Sequence, residues 1–194
     1  NVKIIAVSKT FSQQDIMPLI DHGHKHYGEN KVQEAVEKWT EIKNQNTLIK
    51  LHLIGKLQTN KVKYVIPLFD FVHSLDSLKL AEKISKEQKK LNKYLKHFIQ
   101  INIGDEDQKS GVHVSELEKF YDTCKNELEL DIVGLMCIPP VDQDSEKYFS
   151  EMQKLQIKLK LKELSMGMSA DYLKAIEFNS SFVRIGSKIF GART

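Results

Sequence analysis

Cysteine is scarce in this chain, with two in 194 residues, and arginine is scarcer in proportion to its charge. A domain with only Cys124 and Cys137 is not stapled by a disulfide framework, and free thiols in a reducing, cytoplasmic setting are the expectation. No apolar run reaches the length that spans a bilayer, and no charged-then-apolar signal segment opens the chain, so a membrane role is not expected. Charge of one sign is also missing. A net charge of +3 does not by itself call for nucleic acid or an acidic surface. Of the 29 basic residues only Arg184 and Arg193 are arginine, which leaves 27 lysines. Where a chain that uses lysine almost everywhere keeps a guanidinium, a planar fork of donors is what lysine cannot supply.

What is present has the balance of one globular domain over residues 1–194, with 41% hydrophobic and 28% charged residues. The chain opens at Asn1 directly on an apolar run, without Met and without a preceding helix, which suggests that a segment upstream is missing. Short apolar runs then alternate with amphipathic segments. Strands are predicted at 2–8, 26–28, 51–54, 71–75, 98–103, 132–136, 164–166 and 182–185. Helices are predicted at 12–20, 31–43, 60–68, 77–90, 115–128, 145–162 and 171–178. Strand–helix alternation without hairpin signals requires parallel strands joined by helical crossovers. An open doubly wound sheet is one solution, but eight regular units favour a closed (β/α)8 barrel of TIM type.

Chemistry in such a barrel gathers where the strands end. Lys9 directly follows the first strand. A lysine desolvated there becomes a nucleophilic amine able to form a Schiff base, whereas the bland reading is a solvated loop lysine. The loops after strands seven and eight read Ser165-Met166-Gly167-Met168-Ser169 and Arg184-Ile185-Gly186-Ser187. Glycine admits close approach, serine hydroxyls and backbone N–H groups donate to phosphate, and Arg184 adds charge. Capping serines around ordinary turns are the bland alternative. A Schiff-base lysine facing a phosphate cradle describes a phosphorylated aldehyde cofactor.

Other signals are weaker. The His22-His24-His26 run lacks a carboxylate or cysteine at supporting spacing, so a metal site is not expected. Cys137 reads as a small core residue rather than a nucleophile. The Lys83 to Lys96 stretch reads as a solvated helix face without the aromatics of a base-stacking surface, so no specific nucleic acid is expected. Trp39 reads as packing between helices.

The segments AVSKT (6–10), YGENKVQEA (27–35), HLIGKLQTNK (52–61), KSGV (109–112), GLM (134–136), LSMGMSADYLKAI (164–176) and VRIGSKIFGAR (183–193) carry a resemblance over nearly the whole chain. The chain resembles the pyridoxal phosphate homeostasis family, whose barrel is similar to the N-terminal domain of alanine racemases, PLP fold type III. The resemblance implies pyridoxal 5′-phosphate (PLP) held as an internal aldimine on Lys9. It places Asn30 beside the cofactor ring, and Ser165, Gly167, Gly186 and Ser187 around the phosphate. Ser74 and Met136 are implied as more distant neighbours. Arg184 faces either the phosphate or the pyridine nitrogen, and Lys109 is a candidate secondary acceptor amine. Two departures stand out: Asn179 where glycine is common, and Ala170 where an acidic residue is frequent. Racemases of this fold draw a second base from a further β domain, and this chain stops after strand eight. Cofactor storage, protection and delivery to PLP-dependent apoenzymes by a monomer is therefore the expectation, and a PLP-dependent racemase-like enzyme the alternative.

Overall fold

The computed structural model describes residues 1–106 and 110–191. Lys109 and Arg193 lie outside the described residues. Eight parallel strands close into one barrel in the order β1 to β8, with β1 (Lys3–Val7) pairing both β2 (His26–Glu29) and β8 (Phe182–Ile185). Between them run β3 (Lys50–Leu53), β4 (Phe71–Leu75), β5 (Lys96–Gln100), β6 (Asp131–Met136) and β7 (Glu163–Met168). The crossovers are α1 (Gln13–Asp21), α2 (Val32–Gln45), α3 (Val62–Leu68), α4 (Leu78–Leu91), α5 (Leu117–Asp122), α6 (Ser145–Lys158) and α7 (Tyr172–Glu177). A single turn, α8 (Ser187–Phe190), follows β8. No helix among the described residues is long and apolar enough to cross a membrane.

The strands are apolar on both faces because each face has its own core. Ile5, Phe98, Met136 and Phe182 pack together inside the barrel. Their chain neighbours Ala6, Ile99 and Leu135 join the larger layer between strands and helices. The period of two along a strand sends successive residues to opposite faces. Helix starts follow local chemistry. Ser12 and Asp15 form a reciprocal capping box on α1, and the Ser77 hydroxyl accepts from Leu80 N–H at the start of α4.

Three elements depart most from the sequence reading. The predicted helix 115–128 is a 3-10 turn at Val114–Glu116, then α5, then a π turn at Thr123–Glu127 that brings Cys124 into the core. The fifth strand is shorter than 98–103, because Ile101 and Asn102 leave it to pair with Val112. The sixth long helix stops at Lys158 rather than Lys162, where Lys160 turns to φ +53°. Asn179 adopts φ +67°, the left-handed geometry that asparagine tolerates.

Candidate functional site

The ends of β1, β2 and β8 and the loop after β7 surround a cavity of about 370 Å³. Lys9, Asn30, Ser169, Arg184, Gly186 and Ser187 line it, with apolar walls from Val7, Ile54 and Ile138.

The Lys9 loop is clamped from beneath. Ser8 is fully buried, and its hydroxyl donates to Glu29 Oε1 at 2.8 Å. The same carboxylate oxygen accepts from Trp39 Nε1 at 2.9 Å and pairs with Lys38 Nζ at 2.8 Å. Lys38 also donates to the carbonyls of Ser8 (2.8 Å) and Phe11 (2.9 Å), bracketing Lys9 from both sides. Thr10 takes φ +69°, an uncommon conformation for a β-branched residue, while its N–H donates to Glu34 Oε1 at 2.7 Å. Glu34, Lys38 and Trp39 all lie on α2, so one helix fixes the direction in which Lys9 leaves the barrel. Trp39, expected to pack between helices, packs instead on Tyr27 of β2, and its N–H also completes this clamp.

Asn30 follows β2 and sits against Gly55. A Cβ on Gly55 would lie 2.5 Å from the Asn30 carbonyl oxygen and 2.8 Å from its Cα, so only glycine permits this approach. Asn30 Oδ1 is buried and has no hydrogen-bond partner among the described residues.

Arg184 lies on β8, almost wholly buried, and burial pulls its guanidinium below its usual pKa. Nη1 donates to the Ser165 carbonyl (2.7 Å) and hydroxyl (2.8 Å), and Nη2 to the Cys137 carbonyl (2.8 Å). These bonds account for arginine here: a lysine ammonium cannot span β6, β7 and the cavity in one plane.

The remaining candidates fall elsewhere. Ser165 is fully buried with its hydroxyl between Arg184 and His73, so it stands behind the guanidinium and does not line the cavity. Ser169, four residues on, lines the cavity and accepts from Gly186 N–H at 3.4 Å. Gly167 has φ +89°, and a Cβ there would meet Ala175 at 2.6 Å, so its glycine serves the turn into α7. Met136 belongs to the cluster inside the barrel and Ser74 is buried on β4, and neither lines the cavity. Cys137 is buried, and desolvation pushes its thiol up to about 12, which suits a core residue.

The His22-His24-His26 run divides. His24 bonds to its own segment at the His26 carbonyl, and His26 turns inward to His52. Burial holds His52, His73 and His97 well below the ordinary histidine value. Each is neutral in the fold, whereas the unfolded chain takes up protons below pH ~6.5. Stability is therefore expected to fall as the pH drops from 7 to 5, by about 2 kcal/mol for each of the three. Urea unfolding at the two pH values measures this, and an unchanged midpoint would contradict it.

Comparison with known proteins agrees with this fold. The family model for the alanine racemase N-terminal domain matches residues 1–194. The pyridoxal phosphate homeostasis protein of Pasteurella multocida is 40% identical over 202 residues, covering 99% of this chain and 87% of the relative. That of Aquifex aeolicus is 37% identical over 200 residues, covering 98% and 87%. PipY of Synechococcus elongatus, solved without PLP, superposes with a TM-score of 0.92 at 32% identity over 98% of this chain and 93% of its own. Its PLP-bound structure gives 0.89 over 98% and 92%, also at 32% identity. Alanine racemase of Corynebacterium glutamicum, at 16% identity and a TM-score of 0.70 over 99% of this chain and 56% of its own, shares the fold. With the family model matched over residues 1–194 and relatives 37–40% identical over nearly the whole chain, the chain belongs to the pyridoxal phosphate homeostasis protein family, built on the alanine racemase N-terminal domain.

Proposed function

We propose that this chain binds pyridoxal 5′-phosphate in the barrel mouth with Lys9 as its covalent anchor, and that it stores, protects and delivers the cofactor without robust turnover. The observation that carries the reading is the convergence of Lys9, Asn30, Ser169, Arg184, Gly186 and Ser187 on one cavity. The relatives named for PLP homeostasis and the PLP-bound PipY support it.

The donor set fits the cofactor. When bound, PLP supplies an aldehyde that a lysine amine holds reversibly and a phosphate that needs several donors. Lys9 offers the amine, and the clamp of Glu29, Lys38 and Glu34 fixes its loop before any ligand arrives. Ser169, Ser187 and the backbone at Gly186 offer phosphate donors on the β7–β8 side. Asn30 Oδ1, buried and awaiting a donor, gives the ring a polar neighbour. Arg184 faces the same cavity as a fixed positive charge, and a cation that only donates would leave a facing pyridine nitrogen unprotonated.

Storage rather than turnover is supported by the lining itself. Among the described cavity residues, Lys9 and Arg184 are the ionisable ones, and Arg184 does not exchange protons near neutral pH. Two-face proton transfer requires a second acid or base. We take the chain to act as a monomer in the cytoplasm, a setting that suits its two buried free thiols. PLP-dependent apoenzymes are the receivers in this reading.

The test is a visible spectrum of the purified chain with PLP, followed by borohydride reduction and peptide mapping. A visible band with the reduced adduct on Lys9 is expected. A chain that stays colourless and unmodified would overturn the reading, and turnover of amino acids at enzymic rates, lost in Lys9→Ala, would favour the racemase-like alternative.

A further inference from the structure

Three histidines run in single file through the barrel interior and end on the cavity arginine. His26 Nδ1 lies 2.9 Å from His52 Nε2, His52 Nδ1 lies 2.9 Å from His73 Nε2, and His73 Nδ1 lies 2.9 Å from Ser165 Oγ. Ser165 Oγ in turn accepts from Arg184 Nη1 at 2.8 Å. The file starts at the first residue of β2, on the barrel floor, and crosses β3, β4 and β7 to reach β8. His52 and His73 are fully buried, and both stack on phenylalanines, His52 on Phe71 (4.3 Å) and His73 on Phe98 (4.3 Å).

We infer that His73, its tautomer fixed by the Ser165 hydroxyl and passed on to His52 and His26, is the positioning residue for Arg184 and acts on it through that hydroxyl. The inference rests on the proposed role of Arg184 at the cofactor, and it extends that role to residues that never touch the cavity.

Hydrogen-bond polarity carries the argument. The guanidinium has donors only, so Ser165 Oγ must accept from it. The serine then has one proton to give, and the buried hydroxyl has His73 Nδ1 within reach. Were His73 Nδ1 to donate instead, the hydroxyl proton would be buried without an acceptor. His73 is therefore protonated on Nε2 and donates to His52 Nδ1. His52 is likewise protonated on Nε2 and donates to His26 Nδ1. One orientation, imposed from the cationic end, runs the length of the file. The same polarity excludes proton delivery to the cavity, because the last member is a guanidinium that neither accepts nor releases a proton near neutral pH. What the file provides is an oxygen lone pair held on Nη1, which keeps the guanidinium plane facing the cavity.

The first measurement is a long-range 1H–15N spectrum of the histidines in the full chain without cofactor, at neutral pH. His26, His52 and His73 are expected as neutral rings protonated on Nε2. A His73 protonated on Nδ1 overturns the inference. Ser165→Ala removes the link and leaves the aromatic stack intact, so it is expected to shift the Arg184 Nε–H resonance in the cofactor-free protein. With PLP, His73→Phe is expected to weaken binding on the order of tenfold and to move the visible band. His73→Asn, whose Oδ1 replaces the Nδ1 acceptor, is expected to restore both. An unmoved Arg184 resonance in Ser165→Ala, or a His73→Asn chain that behaves as His73→Phe, overturns it. A wild-type chain that takes up no PLP would sink the proposed function, and the cofactor-free spectra would still decide the histidine file.

Discussion

Lys9→Ala is expected to abolish the visible band of the PLP-loaded chain and the borohydride-stable adduct, while the barrel still folds. Lys9 lies in the loop beyond β1 and belongs to neither packed core, so its loss should move Tm by no more than a few degrees. Binding is a different matter. Without the amine, the phosphate donors Ser169 and Ser187 and the charge of Arg184 still offer a noncovalent site. Affinity should then fall by at least an order of magnitude, with the remainder sensitive to inorganic phosphate. Titration by fluorescence or calorimetry separates the two contributions. A visible band that persists with its adduct on another lysine, Lys109 included, would show that Lys9 is not the anchor.

Lys38→Met is expected to be strongly destabilising although the residue never meets the cavity. The ammonium is buried, pairs with a fully buried Glu29, and ties the carbonyls of Ser8 and Phe11. Removing it strands the Glu29 carboxylate inside the protein, at a cost of about 3–5 kcal/mol. For a chain of this size, that corresponds to a Tm lower by roughly 10 °C or more. It also frees the loop on which Lys9 leaves the barrel, so PLP affinity should fall with it. The stranded charge can be separated from the lost clamp by adding Glu29→Gln. The double variant should recover part of the stability, since no uncompensated charge remains, but not the PLP affinity. A Lys38→Met chain that melts with the wild type would refute this account of the clamp.

The barrel was legible because its evidence is periodic and local. Apolar runs such as 2–8 and 182–185 have the length and composition of strands buried on both faces, and the segments between them carry helix caps such as Ser12 and Ser77. Irregularities escaped for the same reason. The π turn at Thr123–Glu127 and the early exit of β5 go with contacts across the fold, Ser85 holding the Leu128 carbonyl and Val112 pairing with Ile101, which no local pattern encodes. At the site, Lys9 and the Arg184-Ile185-Gly186-Ser187 segment stood out because their residue types are out of place at the ends of apolar strands. Ser169 was harder to separate from Ser165. Ser165 lies within β7 and Ser169 in the loop just beyond it, and only the depth at which each sits in the barrel decides that Ser169 lines the cavity while Ser165 lies behind Arg184.

The sequence by itself determined the strand–helix alternation, the rim lysine, the Gly- and Ser-rich segments and the family, because each is written in contiguous residues. Only the tertiary structure decided which partners these residues meet. It set the Glu29–Lys38–Trp39 clamp under Lys9, turned His26 from a surface histidine run into a file with His52 and His73, and placed Ser165 behind Arg184. Those contacts join residues 9 to 92 positions apart: the histidine file depends on barrel closure, which brings the side chains of distant strands onto one interior, and the clamp on α2 packing back against β2.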